Sequence, residues 1–173
     1  MDPKERIQAL VRAWNAHDIE SFAALLSAEV EWFDLGMTHP PARGRAEVIS
    51  FGRSIFAAFP DLKYSINEPI CVAPDERRFV IFWTIEATHT GMLVPPGFAP
   101  TNRRVVMSGV DALQFKGGEI ISILTLFDPI SAAEQLTGIT LRFPAGSLRE
   151  RAAVFVQRVI ALFARKSKAR RPY

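Results

Sequence analysis

The sequence predicts an α+β domain, with N-terminal helices packed on one face of a curved, mostly antiparallel sheet, followed by a C-terminal amphipathic helix. Three observations lead there. Apolar residues recur at helical spacing over residues 3–16 and again over 46–59. Strand-like stretches then succeed one another at Lys63–Val72, Arg78–Thr88, 104–115 and Glu119–Phe127, with turn residues between them. A last segment, from Ser147 onward, returns to helical spacing with a strongly basic polar side.

In order along the chain, Ile7, Leu10, Val11 and Trp14 mark one face of the first helix. Asp18 is placed to cap a short second helix that turns Phe22, Leu25 and Leu26 inward. Residues 30–35 read as a strand, with Trp32 and Asp34 on one face and Glu31 and Phe33 on the other. The prolines of His39-Pro-Pro-Ala-Arg-Gly44 forbid a helix and make a turn-rich connection. Val48, Phe51, Ile55 and Phe59 restore the helical period, which Pro60-Asp61 ends. The Gly- and Pro-rich stretch from His89 to Arg103 is expected to be a lid or rim, and Gly117-Gly118 a tight turn. Ser147-x-x-Glu150 fits a capping box. Beyond it Leu148, Phe155, Val156, Val159 and Phe163 centre an apolar arc of about 120–140°, with Arg149, Arg151, Gln157, Arg158 and Arg165 outside. The expected division is a domain over residues 1–140, a basic amphipathic helix over 147–168 and a disordered tail over 169–173.

Composition narrows the function classes. Of 173 residues, 49% are hydrophobic and 23% charged, the balance of a globular protein. Thirteen Phe and three Trp against two Tyr favour apolar walls over phenolic hydrogen bonding. Residues 1–146 hold 13 Lys and Arg against 17 Asp and Glu, whereas 147–173 hold eight against one. Basicity is thus a property of the tail, and the main body is not expected to bind nucleic acid. The single cysteine, Cys71, excludes an intrachain disulfide and reads as a small buried hydrophobe, compatible with the cytoplasm. The charged first residues do not form a secretory signal, and no apolar run reaches the ~18 residues of a membrane span. Three scattered histidines (His17, His39 and His89) do not make a metal site, and no phosphate loop or nucleophile elbow is present. No cofactor is therefore expected.

Several strings, in this order and spacing, resemble the nuclear transport factor 2-like superfamily. They are Trp14-Asn15-Ala16-His17-Asp18, Pro40-Pro-Ala-Arg-Gly44-Arg, Thr88-His89-Thr90-Gly91, Gly109-Val-Asp111-Ala-Leu-Gln-Phe115, Gly118-Glu-Ile and Phe127-Asp128. Within it they are similar to the SnoaL-like polyketide cyclases and their ketosteroid isomerase relatives, over roughly residues 4 to 137. The resemblance implies a cone-shaped fold, a pocket for a small hydrophobic molecule and a homodimer formed through the outer face of the sheet. It places Asp34 near the isomerases' general base and Asp111 on their protonated aspartate. It also implies departures: Leu10 and Gly52 stand where the isomerases carry tyrosines, and Thr125 where the cyclases carry an acid/base aspartate.

Asp111 interrupts an apolar strand and shares a face with Met107 and Leu113, where a carboxylate must be paired or protonated. An ionised carboxylate and a neutral carboxylic acid in one apolar pocket can move a proton next to a carbonyl. The candidate catalytic residues are accordingly Asp111, Asp34 and His89. Trp14, Trp32 and Trp83, with Phe51, Phe56, Phe127 and Met107, are the candidate walls, and Thr125 a ligand hydrogen bonder. Two readings stay open: a cofactor-independent cyclase or isomerase, or a non-catalytic module that binds a hydrophobic ligand or dimerises. The C-terminal helix is expected to dock on the domain, on a dimer mate or, through the cations of residues 165–171, on a lipid surface.

Overall fold

The computed structural model describes residues 3–35 and 41–168, and its chain falls into two units, residues 1–139 and 140–173. His39 and Pro40, the first two residues of the predicted turn, and the tail 169–173 lie outside the described residues.

In the first unit, α1 (Pro3–Asn15) and α2 (Ile19–Ala24) are joined through Asp18, whose carboxylate accepts the Glu20 and Ser21 N–H groups at 3.2 and 3.0 Å. The chain continues through β1 (Leu26–Asp34), β2 (Ala42–Arg43) and α3 (Gly44–Ala58). The remaining strands are β3 (Lys63–Val72), β4 (Arg78–Thr88), β5 (Arg104–Lys116) and β6 (Glu119–Phe127). They form one sheet in the order β2-β1-β6-β5-β4-β3, antiparallel except for β1 beside β6. Ile7, Phe22, Val30, Val48, Phe79 and Ile81 are fully buried between helices and sheet. The fold is the expected α+β arrangement, and its inner sheet face is the one that carries the apolar rows.

Four features depart from the expectations. Strand β1 begins at Leu26, not at residue 30, because a register shift between Leu26 and Glu31 breaks the alternation that announces a strand. The two-residue β2 is too short for any periodic signal. The third feature is a helix α4 (Pro129–Thr137), which its ends explain. Asp128 caps it by accepting from Ile130 and Ser131, Pro129 opens it, and Gly138 closes it at φ 73°. Cys71, fourth, is exposed and not buried, because β3 is an edge strand whose register slips between Asn67 and Cys71, around Pro69.

Two side-chain amides fasten helices to strand edges. Asn15 accepts Tyr64 N–H at 2.7 Å and donates to Tyr64 C=O at 2.9 Å, standing in for a strand neighbour beside β3. Gln135 of α4 does the same at Val106, at 2.7 and 2.9 Å, on a length of β5 beyond its pairing with β6. Both satisfy main-chain groups that would otherwise lack a partner at a sheet margin.

The second unit holds α5 (Leu148–Lys168). Ser147 Oγ accepts the Glu150 N–H at 3.1 Å, and the Glu150 carboxylate accepts the Gly146 N–H, so the helix start is capped from both sides. Among the described residues no helix is long and apolar enough to cross a membrane.

Candidate functional site

Register places three of the singled-out residues in one row. Asp34 on β1 pairs with Thr125 on β6, and Thr125 pairs with Asp111 on β5. Partners in register share a face of the sheet, and with strands about 4.8 Å apart the two aspartate backbones stand about 10 Å apart. All three are buried, at 4%, 5% and 9% exposure for Asp34, Thr125 and Asp111. The neighbouring row is Trp83, Gly109 and Phe127. A Cβ on Gly109 would lie 2.3 Å from Trp83 Cζ2, so only glycine lets the indole lie flat along β5 toward Asp111.

Asp111 is the hub of the polar groups. Its Oδ1 accepts the Thr125 hydroxyl at 2.8 Å and its Oδ2 the Tyr64 hydroxyl at 3.0 Å. Thr125 Oγ1 accepts in turn from Trp32 Nε1 at 3.0 Å, so a chain of donors points at the carboxylate. The Trp83 indole N–H makes no well-formed hydrogen bond, yet lies close enough to favour the charged form. Burial outweighs these contacts and raises the Asp111 pKa above the ordinary carboxylate range. The Tyr64 hydroxyl is pushed well above its ordinary value, first by burial and then by the Asp111 charge, and stays protonated. The Asn15 amide fixes the backbone from which Tyr64 projects, and the Tyr64 ring packs 6.0 Å from Trp83 and 6.2 Å from Trp14.

These groups open on a cavity of about 90 Å³. Asp34, Asp111, Thr125 and Tyr64 supply its polar lining, and Trp14, Trp32, Trp83, Met107 and Phe127 much of its wall. Helices close the other side through Leu10, Phe22, Ile55, Phe59, Ala132 and Leu136. Leu93, at 1% exposure, enters it from the loop between β4 and β5. That loop is tied down by Thr90 and Gly91 N–H bonds to Ala58 C=O at 3.0 and 3.1 Å, and by the Val94 N–H to Ser54 Oγ at 3.1 Å.

Three sequence candidates are not in the lining. Phe51 and Phe56 stand behind it: α3 turns Ile55 and Phe59 inward, leaving Phe51 edge-on to Trp32 at 4.8 Å and Phe56 edge-on to Trp14 at 5.0 Å. His89 is fully buried beyond the last β4–β5 pair, 5.3 Å from the Phe59 ring and 3.3 Å from the Thr101 hydroxyl. Burial lowers its pKa, and its Nε2 meets no hydrogen-bond partner among the described residues; its contacts are with Phe59 and the loop, and it is not itself part of the cavity lining. The sequence reasoning in turn missed Tyr64. Its signal was a lone phenol in β3, since a buried Tyr hydroxyl needs a partner. Among the described residues no group of three or more His, Cys, Asp or Glu is placed to hold a metal ion.

Residues 7–123 match the family described as the SnoaL-like domain. Among curated proteins none matches the sequence. Among solved structures, a candidate SnoaL-like polyketide cyclase from Jannaschia sp. CCS1 superposes with a TM-score of 0.70 at 16% identity, covering 80% of this chain and 93% of its own. IdmH, a candidate polyketide cyclase from Streptomyces antibioticus, gives 0.65 at 23%, covering 80% and 100%. AclR, a candidate hydroxylase from Streptomyces galilaeus, gives 0.65 at 23%, covering 79% and 96%. At these identities the likeness establishes the fold; two of the three descriptions name a polyketide cyclase and the third a hydroxylase.

Proposed function

The chain belongs to the SnoaL-like domain family, and from that premise we propose that it is a cofactor-independent acid/base enzyme that cyclises or isomerises a hydrophobic carbonyl compound of polyketide or steroid-like type. The observation that carries the reading is Asp111: a buried carboxyl with a raised pKa, hydrogen-bonded to Tyr64 and Thr125, on the same cavity as Asp34. Asp34 is the base that removes a proton next to the carbonyl. Protonated Asp111, directly or by donating to Tyr64 while the phenol turns its own proton to the ligand, hydrogen-bonds the enolate oxygen. The proton held by Asp34 then returns to a different carbon in an isomerisation. In a cyclisation the enolate carbon attacks a second carbonyl as the first carbonyl re-forms, and the new alkoxide takes the proton held by Asp34. Tyr64 thus supplies a phenol from β3 in a fold where the positions implied for isomerase tyrosines hold Leu10 and Gly52.

The test is exchange of α-protons for deuterium, followed by NMR, in cyclic ketones and polyketide-like diketones incubated with the protein. Catalysed exchange is expected to fall about 10²–10⁴-fold in Asp34→Asn and Asp111→Asn. Ligand binding without exchange, or full exchange in both variants, overturns the reading.

One observation favours the alternative, a non-catalytic module that binds a hydrophobic ligand. The cavity of about 90 Å³ is smaller than the roughly 300–1,000 Å³ of sites for drug-sized ligands. A multi-ring ligand would have to displace Leu93 and its loop. The same proposal takes the molecule as a cytoplasmic homodimer, paired through the outer sheet face on which Phe82 and Leu126 are exposed.

A further inference from the structure

Helix α5 carries exposed apolar residues. Leu148, Phe155 and Ile160 are 81%, 68% and 62% exposed, and Val156 is exposed beside them. At 100° per residue, these four and Val159 fall on one side of the helix. Arg151 and Arg158 flank one edge of this arc, and Arg149 lies at the other edge between Val156 and Ile160, all exposed, with Glu150 the one acidic residue. The sequence adds Arg165, Lys166, Lys168, Arg170 and Arg171, so residues 147–173 carry eight basic groups against one acidic.

We infer that α5 is a membrane-surface anchor, lying in the plane of an anionic bilayer with Phe155, Val156 and Ile160 in the acyl boundary and its arginines among the headgroups. Charge selects this occupant. A second copy of the helix would bring two segments of net charge +7 together. An anionic lipid surface neutralises the same charge. The width of the apolar arc argues against a strict two-helix seam, which is a narrower stripe. Spanning is excluded by the helix itself, which is not apolar enough to cross.

The experiment uses the full chain in co-sedimentation with vesicles of phosphatidylcholine alone and of phosphatidylcholine with phosphatidylglycerol. Binding is expected to the anionic vesicles, to weaken with added salt, and to be negligible on the neutral ones. Arg149→Gln and Arg158→Gln should each lower the partition coefficient about fivefold. Phe155→Glu should lower it more than tenfold, with helix content unchanged by circular dichroism. Equal binding to both vesicle types, no binding to either, or a dimer in lipid-free solution that Phe155→Glu dissociates would each overturn the assignment.

Discussion

At the residue scale the site turns on one carboxyl held by two hydroxyls. Tyr64 and Thr125 both donate to Asp111, and both favour its ionised form. Burial among Trp83, Leu113 and Ile123 opposes them and prevails, so the folded protein holds the Asp111 proton more tightly than the unfolded chain does. The linkage has a definite sign. Asp111 contributes its full stability below its ordinary pKa near 3.8 and loses it as pH rises through the raised folded value. Asp111→Asn has no such titration. Urea unfolding from pH 4 to 8 should therefore show the variant gaining on the wild type as pH rises, then holding a constant difference. A difference flat across that range would mean that the carboxyl is not held protonated by burial. Asp111 was legible in the sequence because strand alternation and the family resemblance agree on it, and Thr125 through the resemblance. Tyr64 was not. Its hydroxyl meets a carboxylate 47 residues away, across an intervening strand, and no local pattern encodes that contact. The excess of Phe over Tyr pointed the other way, toward a cavity without phenols, although a single phenol suffices to complete the site.

At the scale of elements, the long helices and the strands after residue 62 were legible because each holds one period over many residues. The early half of β1 was hidden by its bulge, and β2 by its length. Helix α4 had readable ends in Asp128-Pro129 and Gly138, but only Ala132 and Leu136 are buried along it, too few to set a period. The loop between β4 and β5 behaves as its composition suggests, a surface segment with exposed Met92, Val94 and Phe98, yet it sends Leu93 into the cavity. That residue sets how large a ligand fits. Leu93→Ala should lower unfolding stability by about 2–5 kcal/mol, since a buried leucine is truncated in a tied-down loop. It should also shift binding toward larger ring systems, read as relative affinities for one-, two- and three-ring ketones by fluorescence titration. Unchanged stability together with an unchanged size preference would show that Leu93 does not fill the cavity.

At the scale of the whole molecule, the proposed homodimer would use a face of the sheet, not an edge. One edge is the two-residue β2, and the other is β3, interrupted by a register slip around Pro69. Short and bulged edges resist pairing with another chain. The outer face is different. Phe82, Val110 and Leu126 are register partners across β4, β5 and β6, and Phe82 and Leu126 are 44% and 40% exposed. Val106 is exposed two rows away, with the Thr84–Ser108 hydroxyl contact in the row between. An apolar row of this kind, rimmed by polar groups, suits the centre of an interface of roughly 800 Å² per partner. Phe82→Glu would place two charges in that centre, facing each other across the two-fold axis or desolvated against apolar side chains. Light scattering at micromolar concentration should therefore give a dimer mass for the wild type and a monomer mass for Phe82→Glu, with the thermal transition of the monomer still cooperative. Phe155→Glu, placed on α5, should leave the dimer intact. A wild-type monomer at high concentration, or a dimer indifferent to Phe82→Glu, would remove the outer face from consideration as the contact between copies.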